Sequence, residues 1–266
     1  MGLVDRLPAP AIRWIGRQQF RPYIGPIIRA SSARLRNRPR VIVHGHARGL
    51  RFNPSGAHPG YALGTSEPAI QDLFAAHIAP GSVVWDIGAN VGFFTLLAAR
   101  LVGTGRVIAF EPLPANVAAI ERNLALNDVS NVEIAEVAIG DEIGTATLSV
   151  YPSSGLAKLE TPARAEGTRE PSGHVDVSVS TLDAQLQLFP APAFVKIDIE
   201  GAEEAALRGA ATLLTEIKPT VVCELHGTRD NVVEILESYG YRVTTVEPPD
   251  AVPRAEWYDH ILATPS

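Results

Sequence analysis

From residue 83 on, short runs rich in Val, Ile and Phe alternate with segments of helical length, and this rhythm constrains the fold more than any other feature of the chain. Residues 83–86, 106–111, 131–137, 194–200, 220–225 and 241–246 read as strands. Residues 92–102, 114–127, 202–216 and 230–239 read as helices, and in the second of these Val117, Ile120 and Leu124 recur at helical spacing. Strands separated by helices of about ten to fifteen residues predict parallel pairing, because a parallel connection has to cross over a face of the sheet. The last strand, 257–263, follows 241–246 with no helix between them, so this pair is expected to run antiparallel through the loop 247–256. The expectation is an α/β fold with a doubly wound, mostly parallel sheet and an antiparallel last strand. Between the second and third of these helices the rhythm lapses. Turns at Gly140-Asp141 and Ile143-Gly144 precede a hairpin strand at 145–151, and 175–180 reads as a short strand. Residues 152–173 are poor in apolar side chains and read as a long loop or lid, the kind of segment that is often functional. Ser180-Thr-Leu-Asp183 resembles a capping box before a short helix at 182–188.

A chain of 266 residues with 46% hydrophobic content has room for one large domain with extensions. The net charge of −6 hides an asymmetry: Arg6 to Arg51 contains 11 arginines and no other formal charge, while the body is acidic. We therefore divide the chain into a basic N-terminal extension, 1–60, and a domain at 61–266 with an insertion near 152–173. A basic arm can contact an anionic partner or a membrane surface, or pack on its own acidic body. Phe20, Tyr23, Ile24, Ile27 and Ile28 have helical spacing, but Pro22, Gly25 and Pro26 interrupt it, which favours a short helix covering part of the body over an interfacial anchor. No apolar run is long enough to span a membrane, and Met1 to Pro10 lacks a signal-peptide layout. Cys223 is the only cysteine, which excludes a disulfide within the chain and a multi-cysteine zinc site. The simplest expectation is a cytoplasmic protein.

The first strand ends in Asp86, followed by the turn Gly88-Ala-Asn-Val-Gly92. In open α/β sheets ligands bind beyond the C-terminal strand ends. Gly88 and Gly92 permit a sharp turn and close approach of a ligand, and the helix that follows points free N–H groups at it. A dinucleotide needs Gly-x-Gly-x-x-Gly for its pyrophosphate, but Asn90 stands at the second glycine here and the third is missing. S-adenosylmethionine has no phosphates and carries an ammonium and a sulfonium, so an acid such as Asp86 suits it. Glu111, at the end of the second strand, is placed to accept both ribose hydroxyls, and Glu136, Val137 and Ala138 at the end of the third would lie near the adenine.

A buried parallel strand should be apolar on both faces. In Phe194-Val-Lys-Ile-Asp-Ile-Glu200, however, Lys196, Asp198 and Glu200 share one face. Ionisable groups there are costly unless used or paired. Glu224 and His226 alternate in the same way on the next strand. If the two strands are neighbours, Asp198, Glu200 and His226 converge at the strand ends as candidate bases for a hydroxyl nucleophile. The alternative is an ion pair of Lys196 with a carboxylate, plus a helix N-cap from Glu200. Asp198 and Glu200 could share a divalent ion, although no spacing demands a metal.

The stretches Leu63-Gly-Thr-Ser-Glu-Pro68, Asp86-Ile-Gly-Ala-Asn-Val-Gly-Phe-Phe-Thr95, Ile108-Ala-Phe-Glu-Pro112, Ala138-Ile-Gly-Asp141, Val179-Ser-Thr-Leu-Asp183, Val195-Lys-Ile-Asp-Ile-Glu-Gly-Ala-Glu203 and Leu207-Arg-Gly-Ala210 resemble the FkbM family of S-adenosylmethionine-dependent methyltransferases. The resemblance runs from about Tyr61 to Val246 and leaves out the arginine-rich arm and the 152–173 segment. It implies a class I methyltransferase fold, with a seven-stranded Rossmann-like sheet. It also implies O-methylation of a hydroxyl on a sugar, glycan, glycolipid or secondary metabolite, with Glu67 helping to hold the methionine end of the cofactor. Three other readings remain beside it. One is an oxidoreductase with a nucleotide cofactor. Another is a nucleic-acid methyltransferase using the basic arm, although Asp198-Ile-Glu-Gly201 stands where an Asn-Pro-Pro-aromatic run would serve a flipped base. The last is a non-catalytic scaffold that binds S-adenosylmethionine.

Overall fold

The computed structural model describes residues 7–12, 38–150, 172–246 and 259–266, and the backbone of 157–159. A two-residue hairpin, β1 (Arg40–Val41) and β2 (Arg51–Phe52), leads to helices α1 (Pro59–Leu63) and α2 (Pro68–His77). The alternating part follows as β3 (Val83–Ile87), α3 (Phe93–Val102), β4 (Arg106–Phe110), α4 (Pro114–Ala125) and β5 (Val132–Ala135). Next come β6 (Ala138–Ile139), β7 (Gly144–Val150), β8 (Ala157–Leu159), β9 (Gly173–Ser180) and the short α5 (Leu182–Gln185). The chain ends with β10 (Phe194–Ile197), α6 (Glu203–Arg208), β11 (Thr220–Leu225), α7 (Arg229–Ser238), β12 (Tyr241–Val246) and β13 (Asp259–Pro265).

Seven strands form the central sheet in the order β12-β13-β11-β10-β3-β4-β5. Pairing is parallel from β11 through β10, β3 and β4 to β5, and β13 runs antiparallel to both its neighbours. The strands are apolar on both faces because helices cover both. On one face Trp85, Ile87, Ile108, Phe110, Val195 and Ile197 pack with Leu207 of α6 and Leu236 of α7. On the other, Val84, Val107, Phe194 and Val222 pack with α3 and with Phe74 of α2. Asp86 and Lys196 are buried exceptions on this second face, and the register sets them side by side.

Four boundaries differ from expectation. The third strand stops at Ala135, where the Val137 N–H turns back to the Ala135 carbonyl at 2.9 Å. Residues 138–139 then enter a second, four-stranded sheet in the order β6-β9-β7-β8. The fourth strand stops at Ile197, and Glu200 lies at φ 56°, so Asp198 and Glu200 sit on an exit loop and not on one strand face. The helix expected at 202–216 breaks after Arg208 and resumes as a π-helical turn, Leu213–Ile217. A Cβ on Gly209 would lie 2.4 Å from the Gly140 carbonyl oxygen, so the helix is pressed against the second sheet at its break. Asp183 takes the freed N–H groups of Thr212 and Leu213, both at 2.9 Å. Thr181, not Ser180, caps α5 by accepting the Ala184 N–H at 3.1 Å.

The described part of the arginine-rich stretch is built into the domain. Ile42, Leu50 and Phe52 are buried in the second core. Asn123 of α4 holds both backbone groups of Asn53, and Asn127 holds those of Arg51. A packing boundary therefore does not fall at residue 60. The helical pattern at residues 20–28, the loop 247–256 and most of 152–173 lie outside the described residues.

Candidate active site

The turn after β3 is fixed by protein contacts before any ligand arrives. Gly88 and Ala89 both donate their N–H to the Phe110 carbonyl at 3.0 Å. Gly88 has φ +78°, and a Cβ there would stand 1.9 Å from the Asp198 carbonyl oxygen. The neighbouring exit loop thus excludes a side chain at this position. Gly92, at φ +84°, forms the N-cap of α3 over Ile120. Asn90 takes φ 52° and donates its N–H to Glu111 Oε2 at 2.8 Å.

Glu111 is buried at the end of β4, and its Oε1 accepts the Leu113 N–H at 3.0 Å and the Asn116 amide at 3.1 Å. Burial pushes its pKa up to about 7, although all three hydrogen bonds oppose the shift. A carboxylate has about four acceptor positions, so one is left on Oε2.

Asp86 lies beneath the turn. Its Oδ2 accepts the Thr95 hydroxyl at 2.6 Å, and its Oδ1 is 3.5 Å from Lys196 Nζ. Lys196 also contacts Asp198 at 3.3 Å and sits 5.5 Å over the Phe94 ring. Burial pulls its pKa down, but Asp198 and Asp86 outweigh burial and hold it above the ordinary lysine value. The expected ion pair of Lys196 is therefore present. The N-cap from Glu200 is not: α6 begins after Ala202 without a side-chain cap.

A cleft of about 210 Å³ opens above the ends of β3, β4, β10 and β11. Of the residues singled out for cofactor binding, Glu67, Gly88, Asn90, Glu111, Val137 and Ala138 line it. Asp86 and Gly92 stand behind that lining, and Glu136 points to solvent because β5 ends one residue earlier. Phe110, Leu113, Ile139 and Leu148 add an apolar wall on the β4–β5 side. On the β10–β11 side the wall is acidic, with Asp198, Glu200 and Glu224.

His226 lies just behind that acidic wall. Its Nδ1 is 2.8 Å from Glu203 Oε1, and its Nε2 is 3.7 Å from both Glu200 and Glu224. Glu203 is fully buried and also accepts the Gly201 N–H at 2.8 Å and the Thr228 hydroxyl at 2.9 Å. Burial lowers the His226 pKa, but the Glu203 hydrogen bond and the charges of Glu200, Glu203 and Asp198 raise it above the usual imidazole value. On the far side of Glu224, His260 of β13 brings Nε2 to 3.2 Å from Glu224 Oε2 and 3.8 Å from Glu67 Oε2. Burial again opposes, but these two carboxylates push the His260 pKa up to about 9. Asp198, Glu200 and His226 are thus brought together as their alternation suggested. Glu203 entered only as the last residue of the stretch 195–203 that resembles the family, and His260 and Tyr61, whose hydroxyl donates to Glu67 at 2.6 Å, carry no signal of their own in the sequence.

The cleft fits S-adenosylmethionine. Asn90 Oδ1 is buried there without a hydrogen-bond partner, beside the open position of Glu111 and the apolar wall. The sequence pattern of the Methyltransferase FkbM domain matches residues 86–243, well over half of the chain. "Methyltransferase 1" of Beauveria bassiana is 29% identical over 196 residues, spanning 66% of this chain and 79% of its own length. The 31-O-demethyl-FK506 methyltransferase FkbM of Streptomyces tacrolimicus is 28% identical over 201 residues, with 65% and 77% covered. The hexuronic acid methyltransferase AglP of Haloferax volcanii is 26% identical over 152 residues, with 56% and 57% covered. Among solved structures, an FkbM methyltransferase from Methylobacillus flagellatus superposes with a TM-score of 0.47 at 19% identity, over 77% of this chain and 52% of the other. Strand order, cleft and sequence pattern agree, and the chain belongs to the FkbM family of methyltransferases, which use S-adenosylmethionine.

Proposed function

We propose that the protein methylates a hydroxyl group of a small molecule or glycan, with sugars, glycolipids and secondary metabolites as the acceptor class. The observation that carries this reading is His226, a buried imidazole held by Glu203 at 2.8 Å and directed toward the acidic wall of the cleft. S-adenosylmethionine, when bound, supplies a methyl carbon on a sulfonium that is open to displacement. Glu111 would accept its ribose hydroxyls, and the apolar wall of Phe110, Leu113, Val137 and Ile139 would hold the adenine. The family resemblance adds Glu67 at the methionine end.

A hydroxyl is a weak nucleophile until its proton has an acceptor in reach. The Glu203 contact puts the proton of the neutral ring on Nδ1, which leaves Nε2 to accept one. Glu203 then stabilises the imidazolium that forms. Asp198 and Glu200 accept hydrogen bonds from the acceptor and hold its oxygen in line with the methyl carbon, where positioning supplies much of the rate. The arginines before residue 38 give the chain a means of engaging an anionic carrier or membrane surface that presents the acceptor.

The test is His226→Ala. Calorimetry is expected to show unchanged S-adenosylmethionine affinity, and turnover on hydroxylated acceptors is expected to fall by about 10² to 10⁴. Wild-type turnover in this variant removes His226 as the base. A protein that binds the cofactor yet methylates nothing in a broad hydroxyl panel, sugars first, fits the scaffold reading instead.

A further inference from the structure

We propose that Glu67, Glu224 and His260 form a binding site for one divalent cation of the Mn²⁺ or Zn²⁺ type on the wall of the cleft. Three separate elements meet there. Glu67 is the N-cap residue of α2, Glu224 lies on β11, and His260 lies opposite it on β13 through the antiparallel register. One ligand atom from each falls within 4.8 Å of the other two.

His260 stands within ion-pair distance of both carboxylates, yet no hydrogen bond joins the polar atoms at this junction. His260 is 6% exposed, and its Nε2 has no hydrogen-bond partner. Glu67 Oε2 is likewise buried without one. The 3.2 Å approach of Nε2 to Glu224 Oε2 lacks the alignment of a hydrogen bond, and all three ligand atoms stay within 4.8 Å of one another. A buried nitrogen and oxygen without hydrogen bonds each cost free energy, and two half-buried carboxylates repel. A dication held by all three ligand atoms, taken up as the imidazole gives up its proton, answers both problems at once.

The surroundings are those of a supported ligand set. Glu67 is held at φ 45°, a conformation that non-glycine residues adopt only under constraint. The Tyr61 hydroxyl donates to its Oε1 at 2.6 Å, while Oε2 lies 3.8 Å from His260. A hydrogen bond of this kind orients a ligating carboxylate. One imidazole nitrogen with two carboxylate oxygens suits Mn²⁺ or Zn²⁺ better than Ca²⁺ or Mg²⁺, which prefer oxygen alone. Three protein ligands leave coordination positions open toward the cleft that Glu67 and Glu224 line, as in catalytic and not structural ion sites. A second trio, Asp198, Glu224 and His226, has similar spacing. There, however, Asp198 is already held by the buried ammonium of Lys196 at 3.3 Å.

The experiment is a metal titration of the full chain after chelator treatment, without methyl donor or acceptor, so its outcome is independent of the transferase reading. Free Mn²⁺ is followed by electron paramagnetic resonance, and Zn²⁺ is used to compete. A single Mn²⁺ per chain, displaced by Zn²⁺, is expected. His260→Ala and the more conservative Glu224→Gln should each weaken binding at least about tenfold, while Asp198→Asn should bind like wild type, with circular dichroism confirming the fold of each variant. Failure to bind either ion below millimolar concentration overturns the proposal and leaves His260 as a protonated partner of two carboxylates. Unchanged binding in both His260→Ala and Glu224→Gln overturns it too. Loss in Asp198→Asn with retention in His260→Ala moves the ion to the neighbouring trio and equally refutes the assignment.

Discussion

Asp86 and Glu111 are both acids at strand ends, yet the fold uses them differently. Glu111 lines the cleft, whereas Asp86 anchors the turn from below through Thr95 and Lys196. Both Glu111→Ala and Asp86→Ala are expected to abolish S-adenosylmethionine binding, for separable reasons. Glu111→Ala removes a ligand contact. Asp86→Ala strips a buried lysine of one partner, which costs roughly 3–5 kcal/mol where a buried pair is broken, so its melting temperature should drop as well. Glu111 binding unchanged by calorimetry would sink the ribose assignment. With the Glu111 pKa at about 7, cofactor affinity should also weaken as pH falls through neutrality, because the protonated form loses acceptor capacity. Its effect on stability has the opposite sign. The folded state keeps the Glu111 proton between about pH 4.5 and 7 where the unfolded chain has lost it, so stability falls with rising pH across that window by up to about 3 kcal/mol. For His226 the raised pKa predicts a rate that climbs with pH through a value above the usual imidazole range and loses that limb in His226→Ala. The sequence brought Asp198, Glu200 and His226 together on the premise that they lie on strands, whereas they meet on the loops just past the ends of β10 and β11. Glu203 and His260 were not legible as part of the site, because a helix start and an antiparallel register placed them beside residues remote in sequence.

Among the elements, β3, α3, β4 and α4 were legible because their apolar residues are continuous or helically spaced and bounded by glycine and proline. The 202–216 segment misled for a physical reason. Its apolar spacing is helical throughout, and the break comes from the contact of Gly209 with Gly140, a residue far off in the chain. The resumed turn depends on the Asp183 carboxylate, which accepts the N–H groups of Thr212 and Leu213. Asp183→Ala should therefore cost about 1–2 kcal/mol, seen as a lower denaturant midpoint with an unchanged slope. Loss of less than a few tenths would mean that water replaces the carboxylate.

At the scale of the whole molecule, the mostly parallel sheet, its antiparallel last strand and the cleft above the strand ends followed from the alternation of strands and helices, but the N-terminal boundary did not follow from charge. Arginine content marks the first fifth as one block, whereas Ile42, Leu50 and Phe52 within it belong to the core. A chain starting at residue 38 should be markedly more stable than one starting at residue 61, which should unfold readily, because burial of each such large side chain contributes about 1.5–3 kcal/mol. Equal stability of the two would show that the hairpin and its neighbours are dispensable. Among the described residues no helix is long and apolar enough to cross a membrane.

The glycine at 88, pressed to within 1.9 Å of the Asp198 carbonyl by any added Cβ, also bears on how such an enzyme can diversify. The donor turn and the acid-bearing loop are interlocked, and neither can drift without the other. Acceptor preference then has to be rewritten from the periphery, by the 152–173 insertion and the segments around it, while the reactive centre is inherited as one indivisible block.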